Sequence, residues 1–267
     1  MKLTKPLIAV SAIALVIYSC ATVPLTGRRQ LSLVGDAEIN QSAAASYSQL
    51  LSDPKTKVVA SGTESQRVKR IGNQLAVVIE RYLQQNGYAD QYQFKWEFNL
   101  IQSAEVNAWC MPGGKVAIYS GILPVTATDA GLATVMGHEI AHAIARHSAE
   151  RMSQQLAAQA GGAAVGAATS GKSAATQAIF NQLYGVGGQL AMLKYSRDQE
   201  SEADRLGLTF MAMAGFNPNE AITFWQRMAA QSKGGAQPEF LSTHPADATR
   251  IANIQKAIPE AMKYYKK

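Results

Sequence analysis

Between Gly137 and Ala143 the chain reads His138-Glu139-Ile140-Ala141-His142, and this stretch constrains the fold more than any other part of the 267 residues. On a helix, positions four apart lie on one face. Both imidazoles can therefore point at one ion with Glu139 beside them. The chain has 4 histidines, and His138, His142 and His147 crowd into one short segment. That concentration favours a metal-binding helix over a polar one. Two imidazoles leave a tetrahedral zinc one protein ligand short, with the last position kept for water.

The missing ligand is sought by spacing. A histidine six residues beyond His142 would fall at Ser148, and Ala145 stands where such sites carry glycine. His147 lies nearly half a turn out of phase with His138, so it is expected at the surface or at the helix end, near the negative end of the dipole. The other source is Glu200-Ser201-Glu202-Ala203-Asp204. Glu200 and Asp204 are again four apart, so one can bind metal while the other accepts the N–H of a ligating histidine. Glu202 is expected to point elsewhere and serve solvation. A plain acidic face paired with Arg197 and Arg205 is the competing reading of this segment.

Around these motifs the pattern predicts a mainly helical α+β domain. Val68, Ile71, Leu75, Val78 and Tyr82 recur at helical spacing and stop before Gly87. Tyr92, Phe94, Trp96 and Phe98 alternate with polar residues, as in a half-buried strand. Apolar runs at 104–110 and 116–119 flank Pro112-Gly113-Gly114, which predicts a hairpin and a small antiparallel sheet. The metal helix is expected to start after Thr128 and run past His147. The Ala- and Gly-rich stretch 156–188 is too polar for a bilayer span and predicts a helical lid or hairpin with mobile glycine joints. Glu200 opens a second site helix that ends near Gly215; Asn217-Pro218 opens the next, and 246–257 form the last.

Taken together, H-E-I-A-H, E-S-E-A-D, Tyr195-Ser196-Arg197 and Ser242-Thr243-His244-Pro245 with Arg250 resemble the zinc metallopeptidase family of the CAAX prenyl endopeptidase, HtpX, BepA and LoiP. The likeness covers roughly residues 60 to 258 and is greatest to the short bacterial lipoprotein members and the mitochondrial overlapping-activity peptidase. It implies a zincin fold of gluzincin type, one Zn2+ per chain, Glu200 as third ligand and Asp204 as support for a ligating histidine. Asn107-Ala108-Trp109 is similar to the family's edge strand, where an extended substrate can pair by strand addition. His244 and Tyr195 are candidates to stabilise an oxyanion. In relatives the matching histidine lies near the metal, so His244 serves either catalysis or restraint. Arg250 and Arg197 are candidates to pair with an active-site acid.

The chemistry expected is peptide-bond hydrolysis, with Glu139 as general base beside a water that zinc has made acidic. Cys110 lacks an identifiable base, so a cysteine nucleophile is not expected.

Residues 1–19 carry Lys2 and Lys5 and then an apolar stretch, as in a signal peptide too short to span a bilayer comfortably. Ile17-Tyr18-Ser19-Cys20 resembles the bacterial lipobox, which implies a lipid on Cys20, a membrane anchor and a place in the cell envelope, at the outer membrane facing the periplasm. Residues 20–60 are expected to be a tether with a peripheral helix, 61–258 the peptidase domain and 259–267 a basic tail. Cys110 then has no disulfide partner, and stability must come from core burial and metal. The formal charge of +6 shows no basic and aromatic clustering of the kind nucleic acid requires. The partners expected are polypeptides, misfolded envelope proteins in particular. A metal-bearing chaperone or assembly factor for outer-membrane proteins is the competing function. A metal-buffering lipoprotein is a weaker third, because a scavenging site has no use for Glu139.

Overall fold

The computed structural model describes residues 20–160, 172–184, 195–231 and 238–266. The expected signal peptide 1–19, the expected glycine joints of the 156–188 stretch and the last residue lie outside these.

Strands β1 (Cys20–Thr22) and β2 (Arg29–Leu31) pair as an antiparallel ribbon. Helix α1 (Asp36–Ser52) follows and buries Ile39, Ala43, Tyr47 and Leu50. Helix α2 (Thr63–Gln85) buries Val68, Ile71, Leu75, Ile79 and Leu83, so its apolar stripe turns slightly away from Val78 and Tyr82 towards Ile79 and Leu83. Strands β3 (Glu97–Ile101), β4 (Ala108–Met111) and β5 (Lys115–Tyr119) form a sheet in the order β3-β5-β4. The β4–β5 hairpin forms as expected, its turn carrying Gly113 and Gly114 at φ +76° and +84°, a region that favours glycine.

Two expectations about this sheet need correction. It is mixed rather than antiparallel, because β3 runs parallel to β5. The aromatic run also enters the strand later than its alternation implies: Tyr92, Phe94 and Trp96 precede β3. The rings nonetheless stack in sequence from Tyr92 to Phe98, with Phe94 and Trp96 at 4.4 Å. Side chains two apart share a face in extended backbone, whether or not that backbone is in a ladder.

The metal helix, α3 (Asp129–Ile144), starts where expected, with Thr128 accepting the Gly131 N–H as its cap. It stops sooner than expected. Arg146 takes φ +54°, a left-handed conformation costing an L-residue roughly 1–2 kcal/mol, and α4 (His147–Ala160) leaves in a new direction. Asp36 and the Gln91 carbonyl hold the Arg146 guanidinium, which also lies 4.3 Å over the Tyr92 ring. Helix α5 (Lys172–Tyr184) packs on α4 and α1, so the described parts of the 156–188 stretch are helical.

Helix α6 (Arg197–Met213) opens on a capping box between Ser196 and Gln199. It crosses α3 backbone to backbone. A Cβ on Gly207 would sit 2.9 Å from the His138 nitrogen, and one on Gly137 would sit 3.0 Å from the Gly207 carbonyl oxygen. That close crossing brings the acidic motif against the histidine pair. Helices α7 (Glu220–Gln231) and α8 (Ala248–Ala261), with a single turn at Glu239–Thr243, close the far side. The last helix thus runs four residues beyond the expected end, through Pro259.

One apolar core joins α2, α3, α6, α7 and α8 to one face of the sheet. A second joins α1, α4 and α5 to the other. Within residues 20–60, expected as a tether with a peripheral helix, α1 supplies Ile39, Ala43, Tyr47 and Leu50 to the second core, and Arg28 beside the ribbon bonds Glu202 and Glu150. No described helix is long and apolar enough to cross a membrane.

Candidate metal centre

His138 and His142 on α3, Glu200 on α6 and His244 before α8 converge so that one ligand atom from each lies within 4.8 Å of the others. All four are buried. The His138 and His142 Nε2 atoms are 3.1 Å apart and stand 3.5 and 3.4 Å from the Glu200 carboxylate. His244 Nδ1 is 3.0 Å from both Glu200 oxygens and 3.2 Å from His138 Nε2. Three aromatic nitrogens and a carboxylate, sealed from water, are the donor chemistry that zinc takes. Burial drives the His142 pKa well below its ordinary value, which leaves the ring neutral as a ligand must be.

His138 is oriented from α6. Its Nδ1 lies 3.0 Å from Asp204 Oδ1, so the ring donates there and turns Nε2 to the cluster. Arg250 donates to both Asp204 oxygens, at 2.9 and 2.7 Å, and lies 3.0 Å from Glu200. Burial opposes ionisation of Asp204, but Arg250 and His138 outweigh it and hold the carboxyl below its usual value. The guanidinium rests 3.5 Å above the Trp225 ring, which also meets His138 edge-on. Trp225 was not foreseen, since a single tryptophan on an amphipathic helix has the signature of core.

The expectations for His147 and Glu202 are overturned. His147 is fully buried, because the break at Arg146 swings it back against the metal helix. Its Nδ1 lies 2.8 Å from His142 Nδ1 and its Nε2 lies 3.0 Å from Glu202 Oε2. Glu202 is equally sealed and is bonded by Thr26 and by Arg28 Nε, at 2.5 and 2.7 Å. Burial would raise its pKa, but His147, Thr26 and Arg28 lower it to about 2. A five-residue step on an unbroken helix would put His147 roughly 140° around from His142. No glycine or proline marks the break, so nothing in the local sequence announces it.

Glu139 accepts the backbone N–H of Cys110 on β4, which ties the base to the edge strand of the described sheet. Its Oε1 is buried without a hydrogen-bond partner among the described residues and stands 3.5 Å from His244 Nε2. Burial pushes its carboxyl up to about 7, with His244 opposing and Glu200 adding, the range suited to a general base at neutral pH. Cys110 is buried with its thiol pushed well above its usual value, first by burial and then by Glu139, so it is no nucleophile.

The other candidates divide. Tyr195 lies nearly flat on His142, with ring centres 3.9 Å apart, and its hydroxyl is 3.1 Å from Ser148 Oγ. Arg197 is exposed and takes no part in any described ion pair, so it does not pair with an active-site acid as expected. Asn107, Ala108 and Trp109 are buried as side chains; Asn107 bonds the Ala108 N–H, and Trp109 meets Tyr47 edge-on in the second core. What β4 can present to a substrate is its backbone edge. The structure describes nothing of the Cys20 side chain.

The fold and these donors define a class: a metallopeptidase domain in which the His-Glu-x-x-His helix and a glutamate from a second helix hold one zinc. The profile of peptidase family M48 matches residues 64–258, and the chain belongs to that family. Mitochondrial metalloendopeptidase OMA1 of Schizosaccharomyces pombe is 33% identical over 240 residues, covering 90% of this chain and 66% of the relative. OMA1 of Saccharomyces cerevisiae is 42% identical over 178 residues, 64% of this chain and 49% of the relative. The beta-barrel assembly-enhancing protease of Escherichia coli is 31% identical over 174 residues, 63% of this chain and 35% of its own length. The chain thus spans two thirds or less of each of these relatives.

Proposed function

We propose that this chain is a zinc metalloendopeptidase of the cell envelope, held to a membrane by lipid on Cys20 and acting on misfolded envelope proteins. The observation that carries the peptidase reading is the buried Glu139 oxygen, left unpartnered beside a four-donor cluster. Zinc bound there supplies Lewis acidity to the scissile carbonyl and its attacking water. Glu139 takes the proton of that water at Oε1 and delivers it to the leaving amine. Arg250 and Asp204 fix His138, and Tyr195 packs His142 in place. An extended substrate pairs along the edge of β4, whose Cys110 N–H already aligns the base.

Catalytic zinc sites keep one position open. With zinc held by His138, His142 and Glu200, His244 would be placed to supply a fourth ligand, and we assign it the role of restraint, its ring withdrawing when substrate enters. That replaces a fixed oxyanion donor, because Nδ1 lies among the ligand atoms rather than beyond them.

Glu139→Gln tests the function. Zinc content should be kept while cleavage of a denatured protein falls to background. The name of the Escherichia coli relative couples a protease to β-barrel assembly, which supports assembly assistance as the second reading. Full assembly phenotype in cells carrying Glu139→Gln would favour it over proteolysis. The anchor is tested separately, since Cys20→Ala should release the chain from the membrane fraction.

A further inference from the structure

We infer that His147 and Glu202, clamped by Arg28 of the N-terminal ribbon, form a relay that positions His142 as a metal ligand. The proton count permits one arrangement. His142 turns Nε2 to the donor cluster, so its Nδ1 carries hydrogen and donates across 2.8 Å to His147 Nδ1. His147 must then carry its own hydrogen on Nε2, which donates across 3.0 Å to Glu202 Oε2. Each hydrogen meets one acceptor, and the chain ends on a carboxylate. The reverse arrangement would place hydrogen on His142 Nε2 and remove the lone pair a metal needs.

The far end of the relay is anchored outside the metal helices. Arg28 spans Glu202 and Glu150, donating to the latter at 2.8 and 3.0 Å, and Gln199 Nε2 donates to the same Glu150 carboxylate at 2.8 Å. Gln199 is the capping residue one position before Glu200. The ribbon, α4 and the start of α6 are therefore locked together around His147. The left-handed Arg146 belongs to the same device, since the turn it makes is what sets His147 against His142. Strain held by surrounding bonds at such a place is the pattern of a functional constraint. His147, Glu202 and Arg28 are positioning residues: none touches a reacting atom. The ribbon that follows Cys20 is thereby part of the catalytic centre.

The inference rests on zinc binding at this site, and the test separates the two. In the full chain, His147→Phe keeps a ring and removes both nitrogens. Its zinc dissociation constant, read by competition with a chromophoric chelator, should rise about 10–100-fold, the range for loss of a group that orients a ligand. His147→Gln can accept from His142 through its oxygen and donate to Glu202 through its nitrogen, and should recover most of that affinity. A dissociation constant for His147→Phe within two-fold of the parent overturns the relay. So does a Gln variant no better than the Phe variant, which would reduce the role to packing. Should neither His147 variant fold, Glu202→Met removes the acceptor on its own, and an unchanged dissociation constant there overturns the relay equally. A parent chain that binds no zinc sinks the metal site with it; a zinc-binding parent with indifferent variants sinks only the relay.

Discussion

The two histidines of the metal helix are one turn apart, and both lean on α6, yet their supports end in different parts of the chain. His138 leans directly on Asp204, which Arg250 neutralises from below with Trp225 behind it, all within the C-terminal half. His142 leans on His147 and, through it, on Glu202 and the N-terminal Arg28. The first support is short and sealed, with Arg250 and Asp204 side chains 7% and 8% exposed. The second is longer and reaches towards water, the Arg28 side chain being 33% exposed. One imidazole is thus held directly by a buried ion pair, and the other through a second imidazole whose carboxylate partner belongs to a partly exposed ion pair. Damage near Asp204 should cost the most stability along with metal, whereas damage near Arg28 should cost less stability for its loss of metal.

The largest effect is expected at Arg250. Replacing it with Met strands the Asp204 and Glu200 charges in the interior, a loss of about 3–5 kcal/mol. Urea unfolding and zinc content should fall together. Next is Gly207→Ala, whose new Cβ meets the backbone nitrogen of His138 at 2.9 Å. Forcing a methyl into that crossing costs about 1–3 kcal/mol and moves Glu200 from the histidines, so thermal stability should drop and zinc be lost. A crossing that absorbs the methyl with full zinc content would show that close approach is not what joins the two halves.

Arg28→Met should be milder. The Arg28 side chain is 33% exposed while the Glu202 and Glu150 side chains are 2% and 10% exposed, and both carboxylates keep other donors. The loss should therefore exceed the ~1 kcal/mol of a surface pair and stay below the ~3–5 kcal/mol of a sealed one. The melting temperature should fall less than in the Arg250 variant while zinc affinity weakens, and a fall as large as that of the Arg250 variant would erase the contrast between the two supports. A further effect is confined to acid pH. Glu202 is held at about 2 in the folded chain against an ordinary 4.5. Its contribution is therefore complete above pH 4.5 and lost as pH falls from there towards about 2. Glu202→Gln should flatten that part of the acid unfolding curve and leave the neutral part unchanged in slope.

The asymmetry between the supports also explains what could be foreseen. Ligands four apart on a helix are written in the sequence, so His138, His142, Glu200 and Asp204 could be named from spacing and resemblance. The hairpin could too, because Pro112-Gly113-Gly114 has one obvious backbone use. His147 and Glu202 could not. Helical phase assigned both to solvent: for His147 it fails because the helix breaks at Arg146 without glycine or proline, and for Glu202, on the unbroken α6, because the face it points to is covered by Thr26 and Arg28. The parallel pairing of β3 with β5 was equally hidden, since alternation reports which face is buried and not which neighbour is bonded. Gly137 and Gly207 gave no local signal; their meaning lies in a crossing between residues seventy positions apart.

The central claim, one zinc held by His138, His142 and Glu200 with His244 in the remaining position, is tested most directly by zinc K-edge absorption on the purified full chain. The spectrum should report one zinc with nitrogen and oxygen ligands only, at about 2.0–2.2 Å, and a histidine signal that weakens by one ring in His244→Ala. A sulfur ligand near 2.3 Å, or a spectrum unchanged by Glu200→Ala, would contradict it.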